Sequence, residues 1–259
     1  DYDKVITYAD KVIKTTGVEL EDSYETLWGY DETTKDCLKR NTKEGILEVH
    51  WTTGGGNWET WMYGRQLDNW DYYFTWAKWI TPSRDIISDF EKEGDEIRKN
   101  QAIVYYACTW SNYYPASNYP FMYKLRSSYS NIYWIRLADI ILMKAEAEAY
   151  KGNLDESAKL VNQIRKRAKL KELTSDKTNS KEAMIAAVLH ERRLELAFEG
   201  ERWFDLCRNN KVEKYLNGID NRDKGRIKQV KLFDSNSYLL PIPQTALDQN
   251  TNLVQNPGY

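Results

Sequence analysis

The stretch from His190 to Arg208, HERRLELAFEGERWFDLCR, decides how the chain is to be read. Its apolar residues Leu194, Ala197, Phe198, Trp203, Phe204 and Cys207 call for burial. Glu191, Glu195 and Glu199 fall on one i, i+4 line, where like charges repel by about 0.2–0.5 kcal/mol per pair in an isolated helix. Compensating cations must therefore come from outside the segment. Gly200 costs about 1 kcal/mol against Ala in a helix interior, so it marks either a close backbone contact or a break between two helical pieces. The segment is expected to be a helix or helix pair pressed against other helices and cross-linked by arginine–carboxylate pairs, with Arg136 and Arg165 the best-placed partners for Glu195 and Glu199.

Upstream, Ile135, Ala138, Leu142, Ala145 and Ala149 keep the 3.6-residue period of a helix. Gly152 and Asn153 interrupt it, and Ala158, Val161, Ile164, Arg165 and Ala168 resume it. So short a connection makes the two helices antiparallel neighbours. Residues 170–183 form a polar link with capping residues. Nearer the start, Val5, Tyr8, Ala9, Val12 and Ile13 share one helical face, and Gly17 is a plausible stop. Residues 46–51 and 101–110 read as short strands, and Thr81-Pro82-Ser83 begins a helix. Residues 209–230 are charged and expected to be exposed. The closing YLLPIPQTALDQNTNLVQNPGY, broken by Pro241 and Pro243, is expected to be a strap laid over the body.

A chain of 259 residues is long enough for one large domain or two small ones. A net charge of -2 lacks the basic footprint of a nucleic-acid binder. With a mean hydropathy of -0.74, no apolar run approaches the ~20 residues of a membrane-spanning helix. The first residues do not form a signal peptide. Cys37, Cys108 and Cys207 form no CxxC pair and leave at least one thiol unpaired, so they give no disulfide framework.

Several catalytic patterns fail on the residues themselves. His190-Glu191 opens like the zinc motif HExxH, but position 194 is Leu and the second ligand is missing. Gly54-Gly55-Gly56 lacks the Lys-Ser/Thr of a phosphate loop. No Ser or Cys stands in an informative relation to either histidine. Glu59, Asp68 and Asp71 lie in the Trp-rich stretch, but acids are too common in loops to establish a glycosidase pair. No catalytic residue, metal or cofactor is assigned.

The positive signal is aromatic: the chain has ten Trp and nineteen Tyr, and six of the Trp fall between Trp51 and Trp79, beside the three glycines. A pyranose presents C–H groups on its faces and hydroxyls around its edge, so an indole or phenol face covers it while polar side chains read the rim. Asn57, Trp58, Trp61, Tyr63, Arg65 and Trp70 supply that mixture and form the candidate glycan site. The commoner task of such Trp residues is to fill a satellite core under a long loop. Trp51, Trp76 and Trp79, nearer regular elements, are the better core candidates. Residues 110–121 offer a second aromatic loop for the same site.

The segments IRLADIILMKAEAEAYKGNLDESAKLVNQIRKRA, ERRLELAFEGERWFDLCR and YLLPIPQTALDQNTNLVQNPGY resemble, in order, C-terminal signatures of the SusD/RagB family of Bacteroidetes outer-membrane glycan-binding lipoproteins. TPSRDIISDFEKEGDEIRKN and DKVITYADKVIKTTGVEL are similar to segments flanking that family's variable loop. The resemblance implies a mainly α fold of tetratricopeptide-like hairpins with irregular loops and a few short strands. It also implies a lipid-anchored position on the outer-membrane surface and delivery of oligosaccharide or polysaccharide to a SusC-like TonB-dependent transporter. Residues 1–259 are then one SusD-like C-terminal region: a repeat helix at 1–20, a variable aromatic region at 45–125, a helical body at 132–208 and the strap at 209–259. Ser157 replaces the usual Ala. The lipid-bearing cysteine and first repeats are expected outside this chain, with part of the glycan site and of the transporter surface. A glycoside-acting enzyme using loop carboxylates and a helical-repeat adaptor for protein partners are the alternatives.

Overall fold

The helical period that begins near residue 137 builds the centre of the first of two compact units, Asp1–Glu201 and Arg202–Tyr259. The computed structural model describes residues 1–31, 33–34, 36–51, 81–107, 113–125, 130–223 and 228–259. In the first unit the helices are α1 (Tyr2–Ile13), α2 (Tyr24–Trp28), α3 (Arg84–Glu93), α4 (Glu96–Ala102), α5 (Leu137–Lys151), α6 (Leu154–Arg167), α7 (Ser175–Thr178) and α8 (Lys181–Glu195). Short strands accompany them: β1 (Tyr30–Asp31), β2 (Asp36–Cys37), β3 (Gly45–Val49), β4 (Ile103–Tyr106), β5 (Tyr119–Met122) and β6 (Ile132–Arg136). The fold is mainly α, as the sequence implies.

Helices α5 and α6 form the expected hairpin. Gly152, at φ +88°, ends α5 in the left-handed conformation that glycine adopts without a Cβ penalty. Its N–H donates to Ala149 O and that of Asn153 to Glu148 O, satisfying two carbonyls at the helix end. Ala138, Ala145 and Ala149 are fully buried. Ser157 is buried too, and its hydroxyl donates to Ala145 O at 2.7 Å, so the replacement of the usual Ala adds a hydrogen bond between the helices. Helix α1 packs along α5, and α8 packs across α5 and α6. One core results, running through Ile141, Leu142, Val161, Ile164, Met184 and Val188. Tyr8 does not join it: the residue is 61% exposed, with the Lys11 ammonium over its ring.

Ile135 departs from the helical expectation. Ile132-Tyr133-Trp134-Ile135 has the β-branched and aromatic character of a strand, and it pairs antiparallel with β3, Gly45 opposite Arg136 and Val49 opposite Ile132. β4 pairs with β5 from Ile103–Met122 to Tyr106–Tyr119. The strand expected over 101–110 is therefore shorter in its described part, and the strand over 46–51 becomes Gly45–Val49.

The opening stretch divides. Helix α8, capped by Ser180 accepting from Ala183 N–H, ends at Glu195. Phe198 (φ +65°) and Gly200 (φ +92°) take left-handed conformations beyond it. A Cβ on Gly200 would meet nothing within 4 Å, so this glycine marks the break and not a close approach. Leu194 and Ala197 are buried, Phe198, Trp203 and Cys207 are half-buried, and Phe204 is 65% exposed, against the expectation of burial.

The glutamate row is compensated by an ionic lock inside the first unit. Arg98, Lys124, Arg136, Arg165 and Arg167 face Glu44, Asp95, Glu191, Glu195 and Glu199, five charges of each sign. Glu195 accepts from Arg136 Nη1 at 2.7 Å, Arg167 Nη2 at 2.5 Å, Arg98 Nη1 at 3.2 Å and the Tyr24 hydroxyl. Arg136 grips Glu199 with two nitrogens, at 2.7 and 2.9 Å, and reaches Glu44 at 2.8 Å. Arg136 and Lys124 also donate to Glu195 O, at 2.9 and 3.0 Å, which caps the carbonyl end of α8. Of the two predicted partners, Arg136 meets both Glu195 and Glu199. Arg165 does not: it takes Glu191 at 3.0 Å and Glu93 at 2.9 Å, one helical turn back.

In the second unit, helices α9 (Arg202–Arg208), α10 (Val212–Leu216), α11 (Ile219–Arg222) and α12 (Gln244–Gln249) alternate with irregular chain. Asn217 accepts from Phe233 N–H at 2.8 Å and donates to its carbonyl at 2.9 Å. The last residues fold back on Leu239–Ile242. The Gln255 side chain bonds both Ile242 N–H and O, at 2.8 and 2.9 Å, and Asn256 donates to Leu240 O at 2.6 Å. Residues 209–223 are not uniformly exposed, since Asn209, Val212 and Asp223 are buried.

Neutralising Glu195 leaves three guanidinium groups under-compensated in a site with no water access. Glu195→Gln is expected to lower the unfolding free energy by about 3–5 kcal/mol in urea titration. A loss below about 1 kcal/mol would show that the lock does not hold the first unit together.

Candidate functional site

All six predicted glycan-binding residues, Asn57, Trp58, Trp61, Tyr63, Arg65 and Trp70, lie outside the described residues, as do Trp76, Trp79 and residues 108–112. What the structure shows is how the chain on either side of residues 52–80 is held. On the leading side, β3 carries Glu48, whose carboxylate accepts from Asn41 N–H at 3.0 Å, Thr42 N–H at 2.9 Å and the Thr42 hydroxyl at 2.8 Å. His50 lies 2.8 Å from the same carboxylate, and Trp51 is half-buried. On the returning side, Thr81 Oγ1 lies 3.1 Å from the Tyr119 hydroxyl, and the Tyr114 hydroxyl donates to Pro82 O at 2.8 Å. Ser83 then caps α3 by accepting from Ile86 N–H at 3.2 Å.

The described part of the second aromatic loop forms a pillar beside this return. The Arg84 guanidinium lies 4.2 Å from the Tyr113 ring centre and 4.3 Å from that of Tyr114, and it donates to Tyr113 O. Tyr113 and Tyr114 meet edge to face at 4.6 Å, Tyr114 meets Tyr119 at 5.7 Å, and Tyr119 meets Phe121 at 5.2 Å. Tyr119 and Phe121 are fully buried. Their faces are used on one another, so these two aromatics serve as scaffold; Tyr113 and Tyr114 are half-buried. No local pattern announces the pillar, because Arg84 and the tyrosines are about thirty residues apart.

Perturbed carboxyls lie elsewhere, in and beside the ionic lock, and shifted acidity can mark catalysis. Burial alone would raise Glu195, but Arg167, Arg136 and Arg98 overcome it and hold the group far below the usual carboxylate range. Glu199 moves the same way: burial opposes, and Arg136 and Lys124 prevail. Burial pulls Lys124 below its ordinary value despite Glu199 beside it. Glu195 is fully buried and its oxygens are occupied by four donors, which leaves no approach for a substrate atom. The lock is architectural. Its outer edge reaches the surface at Glu93, which accepts from Arg165 and lies 3.1 Å from His190 Nε2. Among the described residues, no group of three His, Cys, Asp or Glu is placed to hold a metal ion.

With the fold in view, comparison with known proteins decides the family. The model of the SusD family matches residues 121–259, more than half of the chain. The chain belongs to the SusD family. Two SusD-like proteins from Formosa agariphila are similar to it: P38 is 39% identical over 136 residues, and P2 is 33% identical over 144. Those alignments cover 50% and 52% of this chain but only 25% and 27% of the two proteins. A SusD superfamily protein from Parabacteroides distasonis has the same fold, with a TM-score of 0.74 at 23% identity over 100% of this chain and 57% of its own. Surface glycan-binding protein A from Bacteroides uniformis superposes with a TM-score of 0.69 at 21% identity, covering 98% of this chain and 56% of its own. The SusD-like helical fold is thus established across the chain, which spans about a quarter of the curated relatives and somewhat over half of the solved ones.

Two measurements test this electrostatic reading. Glu93 is held at about 2, down from 4.5, first by the hydrogen bond from His190 and then by Arg165. A depressed carboxyl contributes stability that is complete above its unfolded value and is lost as pH falls towards its folded value. Acid titration of unfolding free energy from about pH 6 to pH 2 should therefore show a smaller loss for Glu93→Gln than for the wild type; parallel curves would contradict the assignment. Arg84→Ala should cost about 1–3 kcal/mol in denaturant unfolding by removing both ring contacts and the bond to Tyr113 O. An unchanged midpoint would show that the pillar stands without its cation.

Proposed function

We propose that this SusD-family chain belongs to a non-catalytic glycan-binding protein at the outer-membrane surface, which delivers oligosaccharide or polysaccharide to a SusC-like TonB-dependent transporter. Asn57, Trp58, Trp61, Tyr63, Arg65 and Trp70 form its platform. The indole and phenol faces cover pyranose C–H surfaces, and Asn57 and Arg65 donate to ring hydroxyls. The reading rests on family membership together with one observation: this glycine-bearing, Trp-rich stretch joins a strand and a helix that are separately pinned, by Glu48 on one side and by Tyr114 and Tyr119 on the other. Loops carrying recognition residues on a fixed scaffold lose less entropy on binding. The name of the Bacteroides uniformis protein, surface glycan-binding protein A, supports the same class of ligand. No cofactor is needed for such binding.

A glycan-array screen followed by calorimetry tests the proposal. Trp58→Ala, Trp61→Ala and Trp70→Ala should each weaken binding of the best glycan by about tenfold, equivalent to ~1.4 kcal/mol. Undiminished binding by all three folded variants would move the site elsewhere. New reducing ends after prolonged incubation, abolished by Glu59→Gln or Asp68→Asn, would replace binding with glycoside hydrolysis.

A further inference from the structure

A concavity formed wholly by the helical body of the first unit has a lining without aromatic faces. It is a cleft of about 820 Å³ between the end of α3, the C-terminal turn of α6, the 169–174 link, α7 and the outer face of α8. Its apolar side consists of Leu170, Leu173, Ala183, Ala186 and Ala187, and no Trp, Tyr or Phe lines it. Lys92, Lys169, Lys171 and Lys177 also line it, and no carboxylate among the described residues lies within ion-pair distance of any of them. The acids that share the cleft are mostly engaged. Asp89 pairs with Arg193, Glu93 with Arg165 and His190, and Asp176 accepts from the Thr174 hydroxyl. Glu172 also stands at the lining.

The wall is rigidly built. Lys169 takes a left-handed turn at φ +57°, and Leu170 N–H donates to Arg165 O at 2.9 Å. Leu173 N–H donates to the Asn162 side chain at 2.9 Å, and Arg165 Nε donates to Lys171 O at 2.8 Å. Arg165, also bound to Glu191, thereby ties the cleft wall directly to the ionic lock.

We propose that this cleft docks an acidic, leucine-bearing peptide segment of a partner protein. An extended peptide sends alternate side chains to opposite faces. Aliphatic side chains enter the Leu170–Leu173–Ala186 side, and carboxylates on the other face meet the flexible lysines, whose stems reach over the rim. Charge complementarity selects the sign of the partner. The absence of an aromatic face favours aliphatic side chains over a pyranose ring. A cleft of this volume falls within the size range of ligand-binding pockets. None of the cleft's residues belongs to the proposed glycan platform.

The test uses the full chain and fluorescence anisotropy with a labelled peptide of alternating leucine and glutamate. Saturable binding is expected, weakened by added salt and by replacing the leucines with serine. The double variant K171E/K177E, which changes two exposed side chains, should lose about tenfold or more in affinity while keeping its thermal midpoint and glycan affinity. Ala186→Trp, which fills the apolar side, should also weaken binding. Absence of saturable binding by the leucine–glutamate peptide would overturn the proposal, as would wild-type affinity in the folded double variant. So would displacement of the peptide by a uronic-acid oligosaccharide that itself binds more tightly.

Discussion

Arginine–carboxylate pairing inside the first unit is the constraint on which the rest of that unit depends. Taking an ion out of water costs several kcal/mol, and attraction in the interior offsets this only when the geometry is good and the remaining donors and acceptors are satisfied. Here five cations and five carboxylates interlock, Arg136 alone reaches Glu44, Glu195 and Glu199, and of the guanidinium nitrogens in the lock Arg98 Nη2 and Arg167 Nε are buried without a hydrogen-bond partner. Tyr24 and Trp28 lay aromatic faces against the cations, with Arg167 4.2 Å from the Tyr24 ring centre and Lys124 4.8 Å from that of Trp28. The partners come from the segment before β3, from α4 and its cap, the chain after β5, β6, α6, α8 and the turn beyond α8. A misplacement of any one of them leaves a buried charge unmatched. The lock therefore acts as a registry device for elements that are short and weak on their own, since a two-stranded ribbon such as β3–β6 has little independent stability.

The same division of labour separates scaffold from recognition. The helical body commits these buried charges to itself, and Glu195, whose acidity is strongly perturbed, has no open oxygen. The aromatic pillar around Arg84 likewise consumes the faces of Tyr119 and Phe121. The proposed recognition elements stand apart from these commitments: the Trp-rich stretch that lies between β3 and α3 in sequence, and the lysine-lined cleft whose wall Arg165 ties to the lock.

Local periodicity made the α5–α6 hairpin and α8 legible, because small residues at helical spacing and a glycine at the turn are near-neighbour signals. The i, i+4 glutamate row required cations from elsewhere, and that requirement correctly identified Arg136. It misassigned Arg165, since residues two apart on a helix face different directions and Arg167 points where Arg165 was expected to. Arg98, Lys124 and Glu44 were not legible, because pairings across tens of residues leave no spacing to read. β6 was hidden by Ile135, which fits both the strand that ends at Arg136 and the helix that begins at Leu137. Phe204 shows the limit of hydrophobic character as a guide to burial. The candidate glycan residues are read from the chemistry of Trp, Tyr, Asn and Arg side chains, and all six lie outside the described residues.

The account stands or falls on whether Arg136 and Glu195 are energetically coupled. A double-mutant cycle of Arg136→Met and Glu195→Gln, read by urea unfolding, measures this pair apart from the cost of either change alone. The lock predicts a coupling of about 1.5 kcal/mol or more, with the double variant less destabilised than the sum of the single ones. Additive losses, with a coupling within about 0.3 kcal/mol of zero, would contradict it and reduce the glutamate row of HERRLELAFEGERWFDLCR to independent contacts.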